Sequence, residues 1–166
     1  MKFNYDKKTL IITFIITILM LFVGIKFFKS FEISKGFWKY LSLFFSFFII
    51  LALILSYLFS PERVILGDKL IIYRIISKVY IDYSKIKEIL SIDAKELAYS
   101  STKLFGNSGV FGYYGKFQSN KLGIYYLYTR RINGNYVILK TVDKTYVLAP
   151  NDVDLFMKNL REKCNL

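Results

Sequence analysis

The sequence predicts an N-terminal transmembrane α-hairpin joined to a mainly-β domain that ends in a helix. Three observations carry this prediction. Two apolar blocks of membrane-spanning length lie near the N-terminus, the chain beyond Pro61 breaks into short segments rich in Val, Ile, Tyr and Thr, and the C-terminal residues switch to a helical period. Of 166 residues, 54% are apolar and 19% aromatic, which excludes disorder. The expected division is 1–60 for the membrane hairpin and 61–166 for the β domain.

The spans are expected over 9–28 and 40–60. Leu10–Ile25 and Tyr40–Ser60 carry no charge. A helix needs about 20 residues to cross about 30 Å of hydrocarbon. The second block meets this outright; the first does so with Thr9 included and Lys26 snorkelling to the headgroups. In Leu41–Phe59, fourteen of nineteen residues are Leu, Ile or Phe. Each favours insertion by roughly 0.3–0.6 kcal/mol near the bilayer centre. A cleaved leader would share the basic start of Lys2, Lys7 and Lys8, but no small-x-small site follows the apolar run, so the block is expected to be retained.

Two spans put both termini on one side. Lys2, Lys7, Lys8, Arg63, Lys69, Arg74 and Lys78 flank the hairpin there, against Lys26, Lys29, Lys35 and Lys39 in the connection. That excess places both termini in the cytoplasm. Thr9, Thr13, Thr17 and Gly24 offer small residues for close helix approach, with Gly24 expected near Ser42 and Thr13 near Ser56. The alternative is that the hydroxyls bond their own preceding carbonyls. Neither block holds Asp, Glu or Arg, which argues against an ion pathway.

Residues 61–166 hold seventeen basic and ten acidic side chains. Val64–Leu66, a Gly67-Asp68 turn and Lys69–Ile76 read as a hairpin. Lys78–Ile81, Lys87–Ile92 and a piece from Leu97 to Phe105 are further strand candidates. Gly123–Arg130 and Tyr136–Thr141 flank Asn133-Gly134, a strong hairpin signal, and Thr145–Ala149 follows. Roughly seven strands suggest a small sandwich or partly closed barrel. Pro150 stops the last strand. Asn151 is placed to cap a helix over 152–163, and Val153, Phe156, Met157 and Leu160 form its apolar face.

The most unusual stretch is 106–117, with glycine at 106, 109, 112 and 115 and aromatics at Phe111, Tyr113, Tyr114 and Phe117. A P-loop is excluded because Phe117, not Ser or Thr, follows Gly115-Lys116. A dinucleotide loop lacks both spacing and context. The segment reads as a tight, Gly-bent loop whose aromatics pack on the barrel, or as a binding loop built from Gly106, Gly109, Phe111, Gly112, Tyr113, Gly115 and Phe117.

The run Gly109-Val110-Phe111-Gly112-Tyr113-Tyr114-Gly115-Lys116-Phe117, then Leu122-Gly123, then Tyr146-Val147-Leu148-Ala149-Pro150-Asn151-Asp152 and Phe156, resembles the bacterial pleckstrin-homology-like (PH-like) domain family. The resemblance covers roughly 61–163 and departs at Ala149, where serine is usual. It implies a PH-like split barrel of about seven strands capped by the C-terminal helix, behind a two-span anchor in a bacterial cell membrane. It implies a binding or scaffold module and no shared catalytic residues.

No acidic residue lies between Glu96 and Asp143, where Lys116, Arg130 and Arg131 are interleaved with tyrosines, and the whole chain carries +12. This basic patch is the candidate ligand site, for anionic lipid headgroups or for a membrane protein partner. The membrane tether makes nucleic acid an unexpected partner. No catalytic residue, metal or cofactor is expected. The chain has no His and a single Cys, its carboxylates lack paired spacing, and Ser100-x-x-Lys103 stands without companion motifs. By family analogy alone, immunity against a membrane-active bacteriocin is the alternative function.

Overall fold

The computed structural model describes residues 1–164, so the expected domain end at 166 lies outside the described residues. Helix α1 (Lys7–Ile33) starts behind Asp6, whose carboxylate accepts from the Thr9 amide at 2.7 Å, and α2 (Phe37–Leu58) returns antiparallel to it. At 1.5 Å per residue the helices are about 40 and 33 Å long, enough to cross a bilayer. Most of their large apolar side chains, Phe14, Phe22 and Phe47 among them, are exposed, as a two-span anchor requires.

The seam between the helices uses small residues, but one turn away from the expected register. Ser46, not Ser42, meets Gly24, donating to its carbonyl at 3.2 Å, while Ser42 bonds the Lys39 carbonyl within its own helix. Phe27 on Phe45 fixes the same register. The Thr13 hydroxyl bonds Gly109 in the β domain. The local periodicity gave the small-residue faces, whereas the connection at 34–36 and the docking of the β domain set their alignment.

Nine strands form two sheets. Strands β1 (Pro61–Leu66), β2 (Leu70–Arg74) and β3 (Lys78–Ile81) make an antiparallel three-stranded sheet. The second sheet comprises β4 (Ile86–Asp93), β5 (Ser101–Gly109), β6 (Gly112–Ser119), β7 (Gly123–Thr129), β8 (Asn135–Thr141) and β9 (Thr145–Leu148), in the order β4-β8-β9-β7-β6-β5. The first hairpin follows the sequence reading, with Leu66 opposite Leu70.

Three expectations are corrected. Part of the 97–105 candidate strand is helix: α3 (Ala94–Tyr99) is capped by the Asp93 side chain and buries Ala94 and Leu97 before β5 starts at Ser101. The Asn133-Gly134 bend does not close a hairpin, because β9 lies between β7 and β8, parallel to the first and antiparallel to the second. Val147 and Leu148 are fully buried, and the central position covers both faces of their strand; that burial outweighs the local turn preference. Finally, Asp152 rather than Asn151 caps α4 (Val153–Cys164), accepting from the Leu155 amide at 3.0 Å. Asn151 instead receives the Asn4 amide at 2.8 Å.

One core lies between the two sheets and is closed by Val153, Phe156 and Leu160 of α4; a second, including Leu97, Phe117, Tyr125 and Val147, lies beneath α3. The residues before α1 belong physically to the β domain. Phe3 is buried in the first core, and Met1–Phe3 runs along β1 through Phe3 N–H to the Glu62 carbonyl and Val64 N–H to the Met1 carbonyl. The domain is therefore assembled from both sides of the helical hairpin.

Candidate functional site

The glycine-rich segment is not a loop but the β5–β6 hairpin, turning at Val110-Phe111. Its period of three becomes two cross-strand glycine pairs, Gly106 with Gly115 and Gly109 with Gly112. Phe111 takes φ 58°, and its ring packs edge-on against Tyr57 of α2 at 5.3 Å.

The hairpin tip grips both helices. The Thr13 hydroxyl donates to the Gly109 carbonyl and accepts from the Phe111 amide, each at 3.0 Å. The Tyr114 hydroxyl donates to the Ser56 carbonyl at the other helix. Thr13 lies about one turn inside the uncharged run that begins at Leu10. Thr13 is buried in the protein, and its hydroxyl serves both backbone groups at once.

Beside this grip is a cavity of about 780 Å³, within the usual range of roughly 300–1,000 Å³ for ligand sites. Leu55 of α2, Phe59 just past its end and Phe105 of β5 supply apolar wall, Tyr126 and Tyr128 of β7 lie in the lining, and Arg74 and Lys116 supply positive charge. No carboxylate lines it among the described residues. The Arg74 guanidinium sits 5.5 Å from the Phe59 ring centroid, and its buried Nε has no hydrogen-bond partner among the described residues. Burial pushes the Tyr128 hydroxyl up to about 12, against the opposing charge of Arg74, and it raises Tyr114 as well. Both phenols therefore stay protonated at neutral pH.

Of the three basic residues singled out in the sequence, Lys116 alone lines this cavity. Arg130 stacks on Tyr5 at 4.6 Å and donates through Nε and Nη2 to the Ser60 hydroxyl. Arg131 donates to the carbonyls of Asn135 and Pro150. These two arginines tie the N-terminal segment, the end of α2 and the start of α4 to β7. Phe117 belongs to the core under α3, stacked on Tyr125, and Tyr113 is half-buried beside it. Ser100 donates to carbonyls of α3, and Lys103 stands exposed on β5. Among the described residues no three His, Cys, Asp or Glu side chains cluster in a way that could hold a metal.

Arg74 was missed as a site residue because no spacing links position 74 to position 116; the fold alone joins them.

Two sheets closed by a C-terminal helix follow a pair of apolar helices long enough to cross a membrane. The family model described as "Bacterial PH domain" matches residues 57–164, and the chain belongs to that family. No curated protein and no solved structure matches it.

Proposed function

We propose that the protein is an integral, non-catalytic binding module whose PH-like domain engages anionic lipid headgroups at the cytoplasmic face of a bacterial membrane, both termini lying on that side. The observation that supports this most is the joint between domain and helices. Asp6 is bonded at once to α1 and to the β7–β8 loop, and Ser60, two residues past α2, is held by Arg130. So short a tether keeps the basic domain on the headgroup layer. Lys7 and Lys8 lie exposed at the same end, and each basic side chain near an anionic leaflet contributes about 1 kcal/mol.

The test is thermal unfolding of the full chain in neutral detergent with added phosphatidylglycerol or phosphatidylcholine, at low and high salt. The expected result is a salt-sensitive rise in Tm with phosphatidylglycerol alone, because a ligand that binds only the folded state stabilises it. Equal response to both lipids overturns the headgroup reading and turns attention to a protein partner. A reporter fused at the C-terminus that reads extracytoplasmic overturns the topology.

A further inference from the structure

We infer that the cavity between α2 and strands β2 and β5–β7 is a site for a single anionic membrane lipid, its phosphate held by Arg74 and Lys116 and its acyl chain running down α2 past Leu55 and Phe59. This rests on the headgroup reading above and deepens it from a surface attraction to a built site.

Charge selects the ligand. Two cations face a space with no carboxylate among its described lining residues, and neither Arg74 nor Lys116 forms an ion pair among the described residues. The Arg74 Nε–H is buried without an acceptor, an arrangement that costs free energy until an anion supplies one. An arginine fork and a lysine lining one cavity suit a phosphate. Tyr126 and Tyr128 also line the cavity.

The apolar part of the lining selects an amphiphile over a small anion. Leu55 of α2 and Phe59, which follows the helix end, are apolar and exposed, and Phe105 projects from the edge strand β5 with 80% of its surface exposed. That apolar wall is continuous with the helix surface that faces lipid. A soluble phosphate would use the two cations and leave this surface bare, whereas a phospholipid covers both.

The experiment is native mass spectrometry of the full chain in neutral detergent, titrated with phosphatidylglycerol, phosphatidylcholine or glycerol phosphate. One phosphatidylglycerol retained per chain is expected, weakened about tenfold in Arg74→Gln and in Lys116→Gln, since each removes one charged contact. Lys158→Gln, on the exposed face of α4, leaves retention unchanged. Arg74 also packs on Phe59, so Lys116→Gln supplies the variant with the smaller effect on folding. Retention that persists in Lys116→Gln and Arg74→Gln overturns the cavity site while the surface reading stands. Absence of any phosphatidylglycerol preference in the unmodified chain overturns both. Equal competition by glycerol phosphate makes the site one for soluble phosphate and overturns the lipid.

Discussion

Gly106 and Gly115 face each other across β5 and β6, each with φ near +125°, so close that a Cβ on either would lie 2.8 or 2.7 Å from the other's Cα. Such a Cβ would also overlap a carbonyl oxygen of the facing strand. The pair lets the two backbones approach beside the cavity, and no other residue type fits.

Gly115→Ala combines a disfavoured backbone region with a steric overlap, and we expect a loss of about 2–4 kcal/mol. Urea unfolding of the full chain in detergent measures it; a variant within about 0.5 kcal/mol of the parent would mean that the hairpin relaxes freely.

Thr13→Val keeps the side-chain shape but removes the hydroxyl that serves both Gly109 and Phe111. Leaving those buried backbone groups unpaired should cost about 1–3 kcal/mol. Hydrogen exchange at the Phe111 amide should accelerate in Thr13→Val and stay near the parent rate in Thr13→Ser.

Phe3→Ala deletes a fully buried ring from the core between the sheets. The expected loss is about 3–5 kcal/mol. For the same reason a fragment beginning at Pro61 should be less stable than the full chain, and chemical denaturation of the two compares them directly.

Asp6 links stability to pH. Burial alone would raise its carboxyl, but hydrogen bonds from Thr9 and Ile132 outweigh this and hold it below the ordinary 3.8. A carboxyl depressed on folding stabilises the protein above its unfolded pKa and loses that contribution as pH falls through the folded value. The stability gap between the parent and Asp6→Asn should therefore be full above about pH 4 and shrink below it. A gap that stays constant from about pH 2 to 6 would remove Asp6 from this role.

Much of the architecture was legible because it depends on near neighbours. The length and apolarity of Leu10–Ile25 and Tyr40–Ser60 are local properties, as are the alternation around β1 and β2 and the i, i+3, i+4, i+7 face of α4. The glycine run carried a further signal that went unread. Four glycines spaced symmetrically about Val110-Phe111 are what a hairpin with two facing glycine pairs looks like in one dimension. The usual hairpin cue places glycine in the turn itself, and here the glycines flank it.

Residue order along the chain dictated the two apolar helices, the basic balance, the strand-forming segments and the closing helix, since each follows from propensity and periodicity over a few residues. Contacts across long separations needed the folded chain. Insertion of β9 between β7 and β8, burial of Phe3 beside β1, the diversion of Arg130 and Arg131 to internal partners, and the placing of Arg74 and Lys116 around one cavity all arose there. Competing strand pairings differ little in local energy, and burial of the common core selects among them only once the whole domain is assembled.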